Sequence, residues 1–428
     1  MSIEKRVRKM SNRNIPKIRF KEFINKWNNY KLGQLGNFKS GIGFPDSQQG
    51  GTEGIPFFKV SDMNNIGNET EMRNANNYVT QEQIMKNSWK VINETPAIIF
   101  AKVGAALMLN RKRLVTKPFL IDNNTMSYSF DESWDKDFGL TLFQTINLPK
   151  YAQIGALPSY NASDIAMIKV NVPNVQEQSA IGSLFHTLDD LLASYKENLS
   201  NYQSLKATML SKMFPKAGQT VPEIRLDGFE GEWEKTDLNN ATSRVKTYSL
   251  SRDVESNQDT GLKYIHYGDI HLGKVSRIDD GKLIPYIKPD TTLNEFLQKG
   301  DLIFADASED YKGIAEVAVL ACDVPENVVA GLHTIAVRPK SSFDSIFLFY
   351  MFKTQTFRKY GYKVGTGMKV FGISPSNLMK YEFYYPDKKE QRAIGSYFSN
   401  LDNLINSYQE KISQFETLEK KLLQDMFI

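Results

Sequence analysis

The chain has 428 residues, room for two or more domains, and 41% hydrophobic residues, enough for ordinary globular cores. A net charge of +4 and an isoelectric point near 8.7 lean toward an anionic partner, so local clusters must carry that reading. The single cysteine, Cys322, excludes a disulfide framework and a multi-cysteine zinc site and suits a reducing cytoplasm, and the longest apolar stretches are too short to span a bilayer, so no membrane partner is expected.

Residues 1–13 carry Lys5, Arg6, Arg8, Lys9 and Arg13 with no apolar h-region and read as a flexible basic tail. A first globular domain is expected over 14–172, opening with Pro16-Lys17-Ile18-Arg19 and then Phe23 and Trp27. Inside it, Phe57 to Met63 reads as a strand, and Ile98 to Lys102 as a buried one. Asn110-Arg111-Lys112-Arg113 forms a basic cluster that a loop would hold in solvent. With Lys59, Lys102 and Lys117 it is either a solvated charge run or a footprint for phosphates. Asp135 to Ile146 reads as a helix, and Asn161 to Ile165 leads into the last strand.

Residues 173–214 form the first long helix, and 215–219, with Pro215 and Gly218, a linker. The second domain, 220–385, starts again with Pro222-Glu223-Ile224-Arg225, then Phe229 and Trp233. Its strand-like runs are Tyr264 to Ile270 and Leu302 to Ala305, with Asp306 in the place of Lys102, His266 in that of Lys59 and Tyr267 in that of Val60. Phe343 to Phe357 reads as a helix and Ser374 to Leu378 leads into the last strand. Between them Arg358, Lys359, Lys363 and Lys369 mix with Tyr360, Tyr362 and Phe371. Core packing accounts for those aromatics about as well as nucleic-acid contact does. The second long helix takes 386–428.

Those helices are copies. Pro173 to Phe214 and Pro386 to Phe427 align without a gap at an offset of 213 residues. Each carries a seam spaced four and three apart: Leu184, Leu188, Leu191, Tyr195, Asn198, Tyr202, Leu205 and Met209 in the first, with Asn198 and Lys411 as the polar seam positions of the two copies. Such a narrow stripe favours pairing of the two copies with each other. The alternatives are packing on separate cores or pairing with another subunit.

Signals for catalysis are missing: there is no phosphate loop followed by Lys and Ser or Thr, no nucleophile elbow and no paired cysteines. Gly41-Ile42-Gly43-Phe44-Pro45 and Gly365-Thr366-Gly367 read as loop turns. His266 and His271 invite a metal reading, but on a strand they would point to opposite faces, so ordinary histidines are expected and no metal. A binding protein is expected rather than an enzyme.

Pro173-Asn-Val-Gln-Glu177-Gln178-Ser-Ala180-Ile181-Gly182 and Pro386-Asp-Lys-Lys-Glu390-Gln391-Arg-Ala393-Ile394-Gly395, repeated around two divergent domains, make the chain resemble the specificity subunit of type I restriction-modification systems. The resemblance covers Pro16 to Phe427. It implies an α+β protein with two target recognition domains, a pair of long antiparallel coiled-coil helices and pseudo-twofold symmetry. The partners it implies are double-stranded DNA, two methyltransferase subunits and restriction subunits. S-adenosylmethionine, ATP and Mg belong to those partners, and this chain needs no cofactor. By loop position and chemistry the candidates for DNA contact are Lys59, Lys102, Asn110, Arg111, Lys112, Arg113, Tyr160, His266, Tyr267, Asp306, Lys369 and Phe371. Glycine inside a helix costs roughly 1 kcal/mol relative to alanine. Close approach of another chain would explain keeping Gly182 and Gly395, an intrahelix packing need being the competing explanation, and these two, with Glu177, Gln178, Glu390 and Gln391, are the candidates for partner docking. A seam of about thirty residues is ~45 Å long, comparable with the ~34 Å between half-sites one duplex turn apart. The helices would then act as a ruler that sets the spacer of an asymmetric, two-part target.

Overall fold

The computed structural model describes residues 14–153, 157–290, 292–308, 314–366 and 371–427, so the basic tail lies outside the described residues. Contacts divide the chain into two units: residues up to Lys196 together with Glu410 onward, and Glu197–Gln409. Both boundaries obey the sequence repeat, since Lys196 and Gln409 are equivalent under the 213-residue offset. Each unit therefore holds its own lead segment, its own globular domain and the first part of its own long helix, completed by the last part of the other helix.

Unit 1 runs through β1 (Asn28–Lys31), β2 (Gly36–Ser40), β3 (Ile55–Phe58), β4 (Tyr78–Val79), α1 (Gln81–Lys86), β5 (Ala97–Ala101), α2 (Ala105–Met108), β6 (Lys112–Val115), β7 (Leu120–Ile121) and β8 (Thr125–Phe130). There follow α3 (Lys136–Thr145), α4 (Ala162–Ala166), β9 (Lys169–Val172) and the long α5 (Val175–Lys212). An antiparallel sheet has the order β2-β8-β5-β6, and β3 lies parallel to β7. All five residues of β5 are buried, which its unbroken apolar run requires of a central strand. β1 and β9 pair with Asn28 opposite Val172, so the chain enters and leaves the domain side by side.

Unit 2 repeats this skeleton with additions. Its elements are β10 (Glu234–Asp237), α6 (Leu238–Ala241), β11 (Thr242–Val245), β12 (Glu255–Ser256), β13 (Leu262–Ile265), α7 (Tyr267–His271), β14 (Arg277–Ile278), β15 (Tyr286–Ile287), β16 (Leu302–Ala305), β17 (Ala307–Ser308) and β18 (Val317–Leu320). Then come β19 (Asn327–Ala330), β20 (Thr334–Pro339), α8 (Ser345–Met351), α9 (Gln355–Val364), β21 (Phe371–Gly372), α10 (Pro375–Met379), β22 (Glu382–Tyr385) and α11 (Lys388–Met426). The sheet β11-β20-β16-β18 matches that of unit 1 and gains β14 at its edge. β13 lies parallel to β19 as β3 does to β7, and β10 pairs with β22 as β1 does with β9. The fold class is α+β in both units.

Three elements differ from the sequence reading. The run Phe57 to Met63 leaves the sheet at Phe58, and Tyr264 to Ile270 leaves it at Ile265; a short helical turn follows each, with Asp62 accepting from Lys59 N in the first and His266 accepting from Gly268 N in the second. The helix expected over Phe343 to Phe357 is two, because Thr354 caps a new start at Phe357 N. The helical seam is also broader than a single-partner stripe. Its deepest positions are Ile181, Phe185, Leu188 and Leu192, with the equivalent Ile394, Phe398, Leu401 and Ile405, because the opening turns also cover the globular core.

Antiparallel helix pairing appears inside each unit. In unit 1 Tyr195 packs on Phe415 at 5.4 Å and Lys196 pairs with Glu416 at 2.8 Å. In unit 2 Tyr202 packs on Tyr408 at 5.4 Å and Lys206 pairs with Asp402. Of the two polar seam positions, Asn198 is half-buried and Lys411 is exposed, its ammonium toward Gln414. No helix among the described residues is long and apolar enough to cross a membrane.

Candidate nucleic-acid interface

The central strand of each domain ends in a polar residue tied to a turn. Lys102 follows β5, and its N–H donates to the Asn124 carbonyl at 2.9 Å; Asp306 follows β16, and its N–H donates to the His333 carbonyl at 3.0 Å. The registers agree, since Ala101 faces Thr125 and Ala305 faces Thr334. Lys102 and Asn124 are thus the structural equivalents of Asp306 and His333. Lys102 is half-buried and lines, with Ser40, Asn123, Asn124 and Asn161, a cavity of about 290 Å³. In unit 2 the Asp306 carboxylate lies 3.2 Å from His333 Nδ1, and the Tyr267 ring meets the imidazole edge-on at 5.3 Å. Burial raises Asp306 above the usual carboxylate range, and His333 opposes that shift. Neither Asn124 nor His333 stood out in the sequence; the available signal was their shared place, one residue before the alternating strands that begin at Thr125 and Thr334.

Lys59 and His266 also share a place, just before the short helical turns. Lys59 stays half-buried, with its ammonium on Gln49 Oε1 at 3.1 Å. His266 is buried and caps α7, its Nδ1 accepting from Gly268 N at 3.1 Å, and burial lowers its pKa. The imidazole thus has a structural role at the start of α7. His271 ends the same helix, 3.4 Å from Ser308 Oγ, so the expectation of two histidines on opposite faces of a strand is replaced by two histidines flanking a helical turn. Among the described residues no group of His, Cys, Asp or Glu is arranged to hold a metal ion.

The basic cluster is not a solvent loop. Asn110, at φ +53°, braces the end of α3 by donating to the Ile146 carbonyl and accepting from Leu148 N. Lys112 opens β6 and is buried, its Nζ donating to the Ile146 carbonyl at 2.6 Å, and burial pulls its pKa down to about 8. Arg113 is half-buried, with its guanidinium on the Lys112 carbonyl. Of the four, Arg111 keeps a partly exposed cation, held by the Asn64 side chain. Tyr160 is buried too, its hydroxyl donating to the Ala101 carbonyl, so it supports β5. Phe371 belongs to β21, half-buried against the core of unit 2. Lys369 lies outside the described residues.

The residues read as docking faces hold each unit together instead. Glu177 is buried and takes a two-pronged bond from Arg19, with both distances 2.6 Å, and a third from Trp27 Nε1 at 3.1 Å. Arg225 does the same to Glu390 at 2.8 and 2.7 Å. This explains the repeated Pro-Xaa-Ile-Arg lead: its arginine pins the start of the long helix. Gln178 accepts from Asp135 N at 2.9 Å and donates to the Ser133 and Pro173 carbonyls; Gln391 does likewise with Asp344 N, Ser342 and Pro386. Gly182 and Gly395 let the helix cross the N-terminus of α3 or α8. A Cβ on Gly182 would sit 2.5 Å from Phe138 N, and one on Gly395 3.2 Å from Phe347 N. The close neighbour is the chain's own domain, not a second subunit.

Two domains on one skeleton thus each end the same central strand in a different polar pair. Residues 24–202 and 267–417 match the type I restriction modification DNA specificity domain, and the chain belongs to that family. The MjaVIII specificity subunit of the type I restriction enzyme of Methanocaldococcus jannaschii is 22% identical over 277 residues, 62% of this chain and 63% of that one. The MjaIX specificity subunit of the same organism is 30% identical over 90 residues, 21% of each chain. The match thus spans less than two thirds of these curated relatives. The crystal structure of the type I restriction-modification S subunit from M. genitalium shares the fold, with a TM-score of 0.60 at 14% identity over 97% of this chain and 99% of that one.

Proposed function

We propose that this chain is the DNA-reading specificity subunit of a type I restriction-modification complex and has no catalytic role of its own. The observation that carries this reading is the pairing of one repeated skeleton with unlike side chains at the equivalent strand ends, Lys102 and Asn124 against Asp306 and His333, in a chain of the specificity family. Each domain reads a short stretch of double-stranded DNA; because the two differ, the target is asymmetric and in two parts, with the long helices setting the number of bases between. Lys59, Lys102 and Arg111 supply cations for phosphate or base acceptors. Two methyltransferase subunits with S-adenosylmethionine methylate adenine, and restriction subunits use ATP and Mg, the whole working in the cytoplasm. Mapping methylated adenines in cells with and without this gene tests the proposal. A two-part motif that vanishes with the gene is expected; an identical map in both strains overturns it.

A further inference from the structure

The ends of β5 and β16 carry more information than their position. The flanking residues are taken up by the fold: Asp122, Thr125, Gly331 and Thr334 are all buried, with Thr125 Oγ1 donating to Asp122 and Thr334 Oγ1 to the Gly331 carbonyl. Asn124 and His333, between them, are exposed. His333 is moreover held at φ +54°, a conformation that few residues other than glycine adopt. Its turn therefore holds the side chain outward, between the buried Gly331 and Thr334.

The chemistry of the two pairs is complementary to different bases. Lys102 only donates, and Asn124 both donates and accepts. In the other domain Asp306 accepts. A hydrogen bond from His333 to that carboxylate requires the proton on Nδ1, which leaves Nε2 of the neutral ring as an acceptor as well. Tyr267, edge-on to the imidazole, fixes its plane. A donor suits the O6 and N7 acceptors of guanine, an amide suits adenine N6 and N7, and acceptors suit the amino groups of cytosine or adenine.

Resting on the function proposed above, we infer that Lys102 with Asn124 and Asp306 with His333 are the base-reading pairs of the two domains, the first taking guanine and adenine and the second taking exocyclic amino groups in the major groove. The test uses the full chain assembled with its methyltransferase partner and sequencing of methylated adenines in genomic DNA. In the double variant Asp306→Lys, His333→Asn, the half-site read by the second domain changes, while the other half-site and the spacer stay as they were. Asp306→Asn, which keeps the shape, loosens one position of that half-site by roughly tenfold or more in discrimination at an unchanged melting temperature. Variants that methylate the wild-type motif with undiminished selectivity overturn the base-reading pairs. A wild-type complex that marks no two-part motif overturns the function proposed above instead, so the two failures are distinct.

Discussion

Lys112 stands between two arginines in the sequence, yet the strand turns it inward, where its ammonium meets the carbonyl of Ile146 at the C-terminal end of α3. The helix end offers partial negative charge, but burial dominates and lowers the pKa from 10.5 to about 8. The unfolded chain keeps its proton up to the ordinary lysine range while the native chain gives it up near pH 8, so stability rises with pH across that interval. Below it, the buried charge costs on the order of 3 kcal/mol. Lys112→Met keeps the aliphatic stem and removes the charge. Thermal unfolding should show unit 1 at least as stable at neutral pH, without the gain that the wild type makes between about pH 8 and about pH 10. An undiminished gain in the variant would place its source elsewhere. The sequence could not announce this burial, because a run of cations has the same composition whether it lies in a loop or alternates across a strand. Glu177 shows the same limit from the other side. Its partner Arg19 lies 158 residues away, so the repeated Glu-Gln motif looked like a docking surface when it was an internal clasp.

At the scale of the elements, what was legible came from repetition: two copies of each lead, of each buried central strand and of each long helix. What was not legible was where a strand stops. Lys59 and His266 stand at the starts of helical turns, closed in the first by Asp62 accepting from Lys59 N and in the second by His266 accepting from Gly268 N, a pattern that apolar alternation hides. The paired helices also differ chemically beneath their identity. In unit 2 Asp402 binds both Lys206 and the Tyr350 hydroxyl, the latter at 2.7 Å. At the equivalent place in unit 1, Asp189 has Glu419 where Lys206 would be and Thr141 where Tyr350 would be, and the Thr141 hydroxyl bonds the Asp137 carbonyl instead. Burial, with Glu419 next, pushes Asp189 up to about 6. Its native pKa lies above the unfolded value of 3.8, so stability is lost as pH rises from about 4 to about 6 and the full penalty is present at neutrality. Glu419→Lys should install the unit 2 arrangement. Unit 1 should gain on the order of 1 kcal/mol at neutral pH, or roughly 3 °C, and the gain should shrink toward pH 4. A gain independent of pH would rule out Asp189 as its source.

Over the whole molecule the repeat does more than duplicate a domain: it exchanges helix ends. Phe427 closes the second helix but packs in unit 1 against Trp27, Phe138 and Phe185 at 6.1, 5.6 and 5.9 Å. Phe214 closes the first helix but packs in unit 2 against Trp233, Phe347 and Phe398 at 6.4, 5.5 and 6.0 Å. Each core is thus finished by a residue that chain order assigns to the other half. Removing a buried phenylalanine side chain costs about 3–5 kcal/mol. Phe214→Ala should therefore weaken unit 2 by about 3 kcal/mol and Phe427→Ala, less deeply buried, should weaken unit 1 by somewhat less. Hydrogen exchange resolved by peptide reads the two units separately. With Phe214→Ala, protection should fall across β16, β20 and α8 while β5 and β8 keep theirs; with Phe427→Ala the pattern should reverse. Loss confined to the unit that holds the start of the mutated helix would show that each half completes itself, and the exchange of helix ends would be refuted.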